Sequence, residues 1–215
     1  MENPMTTQND TDTLAPKARA THSAKPASRG VHHLALNTSD MKMTIDFYSR
    51  VMGMPLIHAL RVPPGVGAGP LNRGNPPYEN LRHYFFDAGG DAMVAFFELP
   101  KDAPDTADRN AVSAMQHCSF TTSKAQFDVL VKRLKDYQVP VIGPLNVGSG
   151  SWSIYFFDPN GIRLEYTYQE GDGDDVRVVE RWTQTREEIM AELSSLSGDT
   201  AWLQSMTAHL PDERN

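Results

Sequence analysis

The sequence predicts an α+β fold made of two copies of a strand–helix–three-strand module, followed by a helical extension. An internal repeat carries this reading. "HHLALNTSDMKMTIDFYSRVMGMPL" from His32 lies on "QHCSFTTSKAQFDVLVKRLKDYQVPV" from Gln116, with His33 on His117 and Thr38-Ser39 on Thr122-Ser123. Downstream, "HYFFDAGGDAMVAFFEL" and "IYFFDPNGIRLEY" read as matching hairpins that end on Glu98 and Glu165. Helical periodicity between the paired strand signals completes each module.

Residues 1–30 are rich in Thr, Ala, Pro, Asn and Lys and lack aromatics, so they read as a disordered tail with no apolar core for a secretory signal. Module one spans 31–99. Its first strand leads to a helix opened by Ser39 or Asp40, with Thr44, Phe47, Tyr48 and Val51 on one face and Gly53 as its stop. Pro63 to Asn80 is a long Pro- and Gly-rich loop of the kind used to bind ligands, with Arg73 and Tyr78 as candidate contacts. The Gly89-Gly90 pair suits a two-residue turn, which pairs Ala88 with Asp91 and places His83 opposite Phe96, on the face of Glu98.

The acidic stretch 100–114 reads as a linker, and module two spans 115–170. There, Ser123 with Gln126 has the capping-box pattern, ahead of Phe127, Leu130, Val131 and Leu134 at helical spacing. Pro159-Asn160-Gly161 suits a three-residue loop with a left-handed glycine, which sets Tyr155 opposite Glu165. The helical extension covers 171–215, where Thr185 with Glu188 opens an amphipathic helix through about Leu196. Its Trp182, Ile189, Leu193 and Trp202 need cover, either on the outside of the sheet or in the interface of a homodimer.

Composition narrows the function. A net charge of −7 over 215 residues excludes the basic stripe of a nucleic-acid binder. No apolar run reaches membrane-spanning length. One cysteine, Cys118, points to the reducing cytoplasm and excludes a disulfide framework.

Side chains alternate along a strand, so His33 shares a face with Ala35 and Asn37, and His117 with Ser119 and Thr121. These faces are small and polar, which suits a lined cavity. Two histidines and two glutamates at matched points of two copies can converge about a pseudo-two-fold axis. Two imidazoles and two carboxylates make a binding set for one divalent ion with two positions left open. The candidate ligands are therefore His33, Glu98, His117 and Glu165.

"HHLALNTSDMKMTIDFYSRVMGM" and "YFFDPNGIRLEY" resemble the vicinal-oxygen-chelate superfamily, which includes glyoxalase I, extradiol dioxygenases, epimerases and antibiotic-resistance proteins. The resemblance covers Val31 to Tyr168. It implies paired βαβββ modules whose mixed sheets cup a metal, with His33, Glu98, His117 and Glu165 on the glyoxalase-type ligand positions. The ion would be Ni, Zn, Fe, Mn or Co, and the substrate a small molecule that chelates it through two neighbouring oxygens. Extradiol dioxygenases use two histidines and one glutamate, so a ligand at Glu98 counts against that activity. Tyr155, ten residues before Glu165, counts for it, because extradiol enzymes carry a substrate-binding tyrosine there. The expectation is a glyoxalase-like lyase or isomerase, with Glu98 or Glu165 shuttling a proton. The alternatives are an extradiol dioxygenase in which Tyr155 or His83 handles protons, and a metal-free drug-binding resistance protein.

Overall fold

In the computed structural model the described residues are 26, 28–64, 76–104, 108–148, 150–171 and 178–213. Most of the tail expected over 1–30, and Arg73, lie outside them. The chain divides into two compact units, one of them Ser28–Val178 and the other carrying the helices that follow.

The larger unit is the expected α+β arrangement. Module one runs β1 (His33–Thr38), α1 (Met41–Asp46), β2 (Leu56–Arg61), β3 (Arg82–Gly89) and β4 (Ala92–Glu98). Module two runs β5 (Cys118–Thr121), α2 (Lys124–Asp136), β6 (Ile142–Gly148), β7 (Ser151–Phe157) and β8 (Arg163–Gln169). The sheets are ordered β1-β4-β3-β2 and β5-β8-β7-β6. In each, the first strand pairs in parallel with the last, and the remaining neighbours are antiparallel.

Asp40 is the residue that caps α1, accepting from the Met43 N–H. The helix widens into a π-helical turn over Phe47–Met52 and stops at Gly53, whose φ of 76° only glycine adopts freely. Ser123 caps α2 by accepting from Gln126 N–H. Both helices lie on one shared core. Tyr48, Phe86 and Phe96 of module one pack in the same cluster as Phe127, Leu134, Ile154, Phe156 and Leu164 of module two. Burying large apolar side chains of this kind stabilises the fold by about 1.5–3 kcal/mol each. Tyr78, a loop residue read as a candidate ligand contact, instead packs against the small cluster of Val62, Leu81 and Phe97.

Polar bonds tie the modules across this core. Tyr48 OH donates to Asp158 Oδ2 at 3.2 Å, and Thr38 Oγ1 donates to Asn160 Oδ1 at 2.7 Å. Asp158 also accepts from the Asn160 and Ile162 N–H groups, which shapes the turn ending at Gly161, φ 78°. Burial raises the Asp158 carboxyl above its ordinary range, although these bonds oppose the shift.

Helices cover Val178–Trp182 (α3), which begins on the last residue of the larger unit, and, in the smaller unit, Arg186–Leu193 (α4) and Thr200–Thr207 (α5). The Thr185–Glu188 capping box forms in full. The helix expected to run to Leu196 stops at Leu193, and α5, capped by Asp199, was not anticipated. Among the described residues no helix is long and apolar enough to cross a membrane.

Candidate active site

With the helices on one side of each sheet, the opposite faces are where the polar residues gather. In module two the register places Ser119 beside Glu165, and Glu165 opposite Tyr155, as the loop Pro159-Asn160-Gly161 implied. His117, just ahead of β5, reaches the same spot: its Nε2 stands 2.9 Å from Glu165 Oε2.

The other ends of these two groups are fixed. His117 Nδ1 contacts Gln116 Oε1 closely. An amide oxygen can only accept, so Nδ1 donates to it, and Nε2 meets Glu165 either as a second donor or with a lone pair. Two lone pairs facing each other repel, so the contact is favourable only with a proton or a cation between them. Two neighbouring ligands of one octahedral ion, each about 2.1 Å from it, stand about 3.0 Å apart, close to the spacing found. The chemistry and spacing of this pair therefore fit a divalent ion.

Glu165 Oε1 accepts from Thr167 Oγ1 at 3.1 Å, and Thr167 is bonded in turn to Ser153 at 2.7 Å. Burial pushes the Glu165 carboxyl up, but bonds from Ser153, Tyr155, Ser119 and Thr167 outweigh it and leave the group below its ordinary range. Tyr155 moves the other way. Partial burial, and then its bond to Glu165, raise the phenol, so it stays a donor. The Arg163 guanidinium lies 4.4 Å above the Tyr155 ring and donates to Gln116 Oε1 at 3.2 Å.

The corresponding face of module one carries His33, Ala95, Phe97, His83, Phe85 and His58, because His33 pairs with Met93, Phe85 with Ala95, His83 with Phe97 and His58 with Phe85. His33 is exposed, 2.8 Å from His32 between Nδ1 atoms, and its ring packs edge-on to Phe85. His83 stacks on Phe97 with ring centroids 3.7 Å apart. Its Nε2 is buried with no hydrogen-bond partner among the described residues. Burial, aided by the nearby His33 and His58, lowers His83 from 6.5 to about 4, so it is neutral at physiological pH.

Glu98, expected beside His33, is on the opposite face of its sheet. It pairs with Thr38, accepts from the Met41 N–H at the start of α1 at 2.9 Å, and forms an ion pair with Arg82. The cause is the hairpin. Its turn is Gly90-Asp91, with Gly89 paired to Ala92 and a bulge between Asp87 and Gly89. His83 thus pairs with Phe97 rather than Phe96, and one step of register reverses the face of every residue beyond. The position that matches Glu165 is held by Ala95, which pairs with Ala35 and Phe85 as Glu165 pairs with Ser119 and Tyr155.

The structure therefore brings together His117, Glu165 and Tyr155, gathers His33 and His83 on the other module, and separates Glu98 from both groups. Among the described residues, no three His, Cys, Asp or Glu side chains stand close enough to hold a metal. Gln116, Ser153, Arg163 and Thr167 were not singled out from the sequence, although strand alternation puts the last three on the face of Glu165.

Comparison with known proteins agrees with the fold. A family model described as Glyoxalase/Bleomycin resistance protein/Dioxygenase superfamily matches residues 30–166. A Bacillus subtilis (strain 168) protein named "Putative ring-cleaving dioxygenase MhqA" is 27% identical over 145 residues, which are 67% of this chain and 42% of that protein. The chain thus spans less than half the length of this curated relative. A glyoxylase/bleomycin resistance protein/dioxygenase domain from Frankia sp. EAN1pec superposes with a TM-score of 0.52 at 18% identity, covering 67% of this chain and 100% of that one. A fosfomycin resistance protein from Listeria monocytogenes gives 0.45 at 17% identity, covering 67% and 96%.

Proposed function

The chain belongs to the Glyoxalase/Bleomycin resistance protein/Dioxygenase superfamily, and from that premise we propose that it is a divalent-metal, ring-cleaving dioxygenase of the extradiol type. Its substrate class is an aromatic ring bearing two neighbouring hydroxyls. His117 and Glu165 would hold the ion, with His33 of module one as the third donor. His33 would leave His32 and Phe85 to join them.

The observation that carries this reading is Ala95 in the place that matches Glu165, with Glu98 committed to α1 and Arg82. A glyoxalase-like lyase or isomerase was favoured by a second carboxylate that both ligates and moves protons, and Glu98 is not positioned to serve. Two histidines and one carboxylate are instead the donor set of non-haem Fe(II) oxygenases, which leaves positions for a chelating substrate and for dioxygen. The name of the Bacillus subtilis relative gives the same direction.

When bound, such an ion supplies redox chemistry and polarises substrate oxygens. The chain's own residues supply the rest. Tyr155, kept protonated and hydrogen-bonded to Glu165, donates to a substrate oxygen. His83, neutral and with Nε2 unpartnered among the described residues, would accept a hydrogen bond from a substrate hydroxyl. Phe85 and Phe97 present apolar surface beside it for the ring.

The test is oxygen consumption by protein loaded with Fe(II) or Mn(II) and given catechol. Stoichiometric uptake, lost on loading with Zn²⁺ and reduced in Tyr155→Phe, is expected. Anaerobic turnover of an α-hydroxy or dicarbonyl substrate with Zn²⁺ or Ni²⁺ would return the assignment to the lyase or isomerase class.

A further inference from the structure

We propose that the site takes an aromatic substrate bearing an anionic substituent, and that Arg163 is the residue that binds it. The identity of the ring rests on the ring-cleavage reading. The anion subsite rests on Arg163 and its surroundings.

Arg163 sits two residues before Glu165 on the same face of β8. Its guanidinium is held in one orientation by two contacts, the Tyr155 ring at 4.4 Å and the Gln116 amide oxygen at 3.2 Å. That same oxygen contacts His117 Nδ1, so Arg163 and the His117 ring are joined through a single atom. The guanidinium thus shares an anchoring atom with the His117 imidazole and lies over the Tyr155 ring, whose hydroxyl reaches Glu165.

Charge pairing sorts the arginines. Arg29, Arg50, Arg82 and Arg186 each pair with a carboxylate. Among the described residues Arg61, Arg109, Arg133 and Arg163 have no such partner. Arg61 and Arg133 donate to the Asn80 and Val51 carbonyls, whereas Arg163 and Arg109 lie over aromatic rings of module two. Glu165 does not fill the role, because its oxygens are taken by His117 and Thr167. Arg109 lies 4.8 Å from the ring of Phe157, and Phe157 is the cross-strand partner of Arg163. Two guanidiniums without counterions thus gather at one corner of the ligand face, in a chain of net charge −7. A guanidinium offers a planar fork of donors that matches a carboxylate, and fixing it beforehand reduces the ordering cost of binding.

Calorimetric titration of the metal-loaded full chain with benzoate, 3,4-dihydroxybenzoate and catechol tests the subsite. Both acids should bind roughly tenfold or more weakly to Arg163→Gln than to the wild type, and catechol within about twofold. Arg163→Lys should recover part of the loss, and Arg109→Gln should weaken the acids by about two- to threefold. Acids that bind both proteins equally, benzoate that fails to bind the wild type, or catechol that loses affinity by the same factor as the acids would overturn the assignment. Arg163 would in that last case only support Tyr155. Tight, Arg163-dependent binding of 3,4-dihydroxybenzoate without oxygen consumption would leave the subsite standing and remove the ring-cleavage reading alone.

Discussion

Glu98 ends β4 of the first module and Glu165 lies near the start of β8 in the second, and they face opposite sides of their sheets. Glu165 points with Ser119 toward His117, whereas Glu98 points with Thr38 toward the start of α1. Likeness in sequence therefore does not carry over to placement: Glu165 sits beside His117, and Glu98 accepts from the first turn of α1.

Removing the Glu98 carboxylate should lower stability. In Glu98→Ala the Met41 N–H at the first turn of α1 loses its acceptor, which costs about 1 kcal/mol. Urea unfolding should show a lower midpoint at an unchanged slope. An unchanged midpoint would show that water caps the helix equally well.

The bond between the modules should be measurable in the same way. Tyr48 is fully buried, and Tyr48→Phe deletes only the hydroxyl that donates to Asp158. A loss of about 1–2 kcal/mol is expected, with metal content unchanged. Loss of metal together with stability would show that this contact also shapes the ligand face.

His83 gives the metal-free protein a pH signature. Its folded value, about 4, lies below the ordinary 6.5, so between these limits the folded state binds fewer protons than the unfolded chain. The stability tied to this neutrality is complete above about pH 6.5 and falls as the pH drops toward 4. For a ring that is partly exposed, solvent screening leaves about 1–2 kcal/mol of the effect. Comparing unfolding at pH 7 and pH 4.5 should show a smaller difference for His83→Phe than for the wild type. Equal differences would place the acid sensitivity in other groups.

Gln116 should matter to the metal through His117. Gln116→Leu removes the acceptor that keeps the proton on Nδ1, and ligand affinity should fall by about tenfold. Titration of the chelator-stripped protein with Mn²⁺ or Co²⁺ measures it. An affinity equal to the wild type would mean that the imidazole needs no orienting partner.

The modules, the Ser123 cap and the register of the second hairpin were legible because each follows from local chemistry, while the α1 cap stayed open between Ser39 and Asp40. Pro159-Asn160-Gly161 offers one place for a left-handed residue, and Gly161 takes it. The first hairpin was not legible, because Gly89, Gly90 and Asp91 all tolerate positive φ and all three adopt it. Several turns were thus available, and the Ala88 bulge that completes the shift leaves no mark in the pattern of apolar residues. The site divides along the same line. Tyr155 opposite Glu165 follows from the legible hairpin, and the misplaced Glu98 follows from the other. Gln116 precedes its strand, where alternation has no say.

Metal affinity in a pair of isosteric variants tests the ligand assignment most directly. Glu98→Gln and Glu165→Gln each remove one charge at nearly constant shape, and each can be titrated with Mn²⁺ or Fe(II) after chelator treatment. Glu165→Gln should lose at least about a hundredfold in affinity while Glu98→Gln stays within about twofold of the wild type. A comparable loss in Glu98→Gln would contradict the two-histidine, one-carboxylate set and restore Glu98 as a ligand.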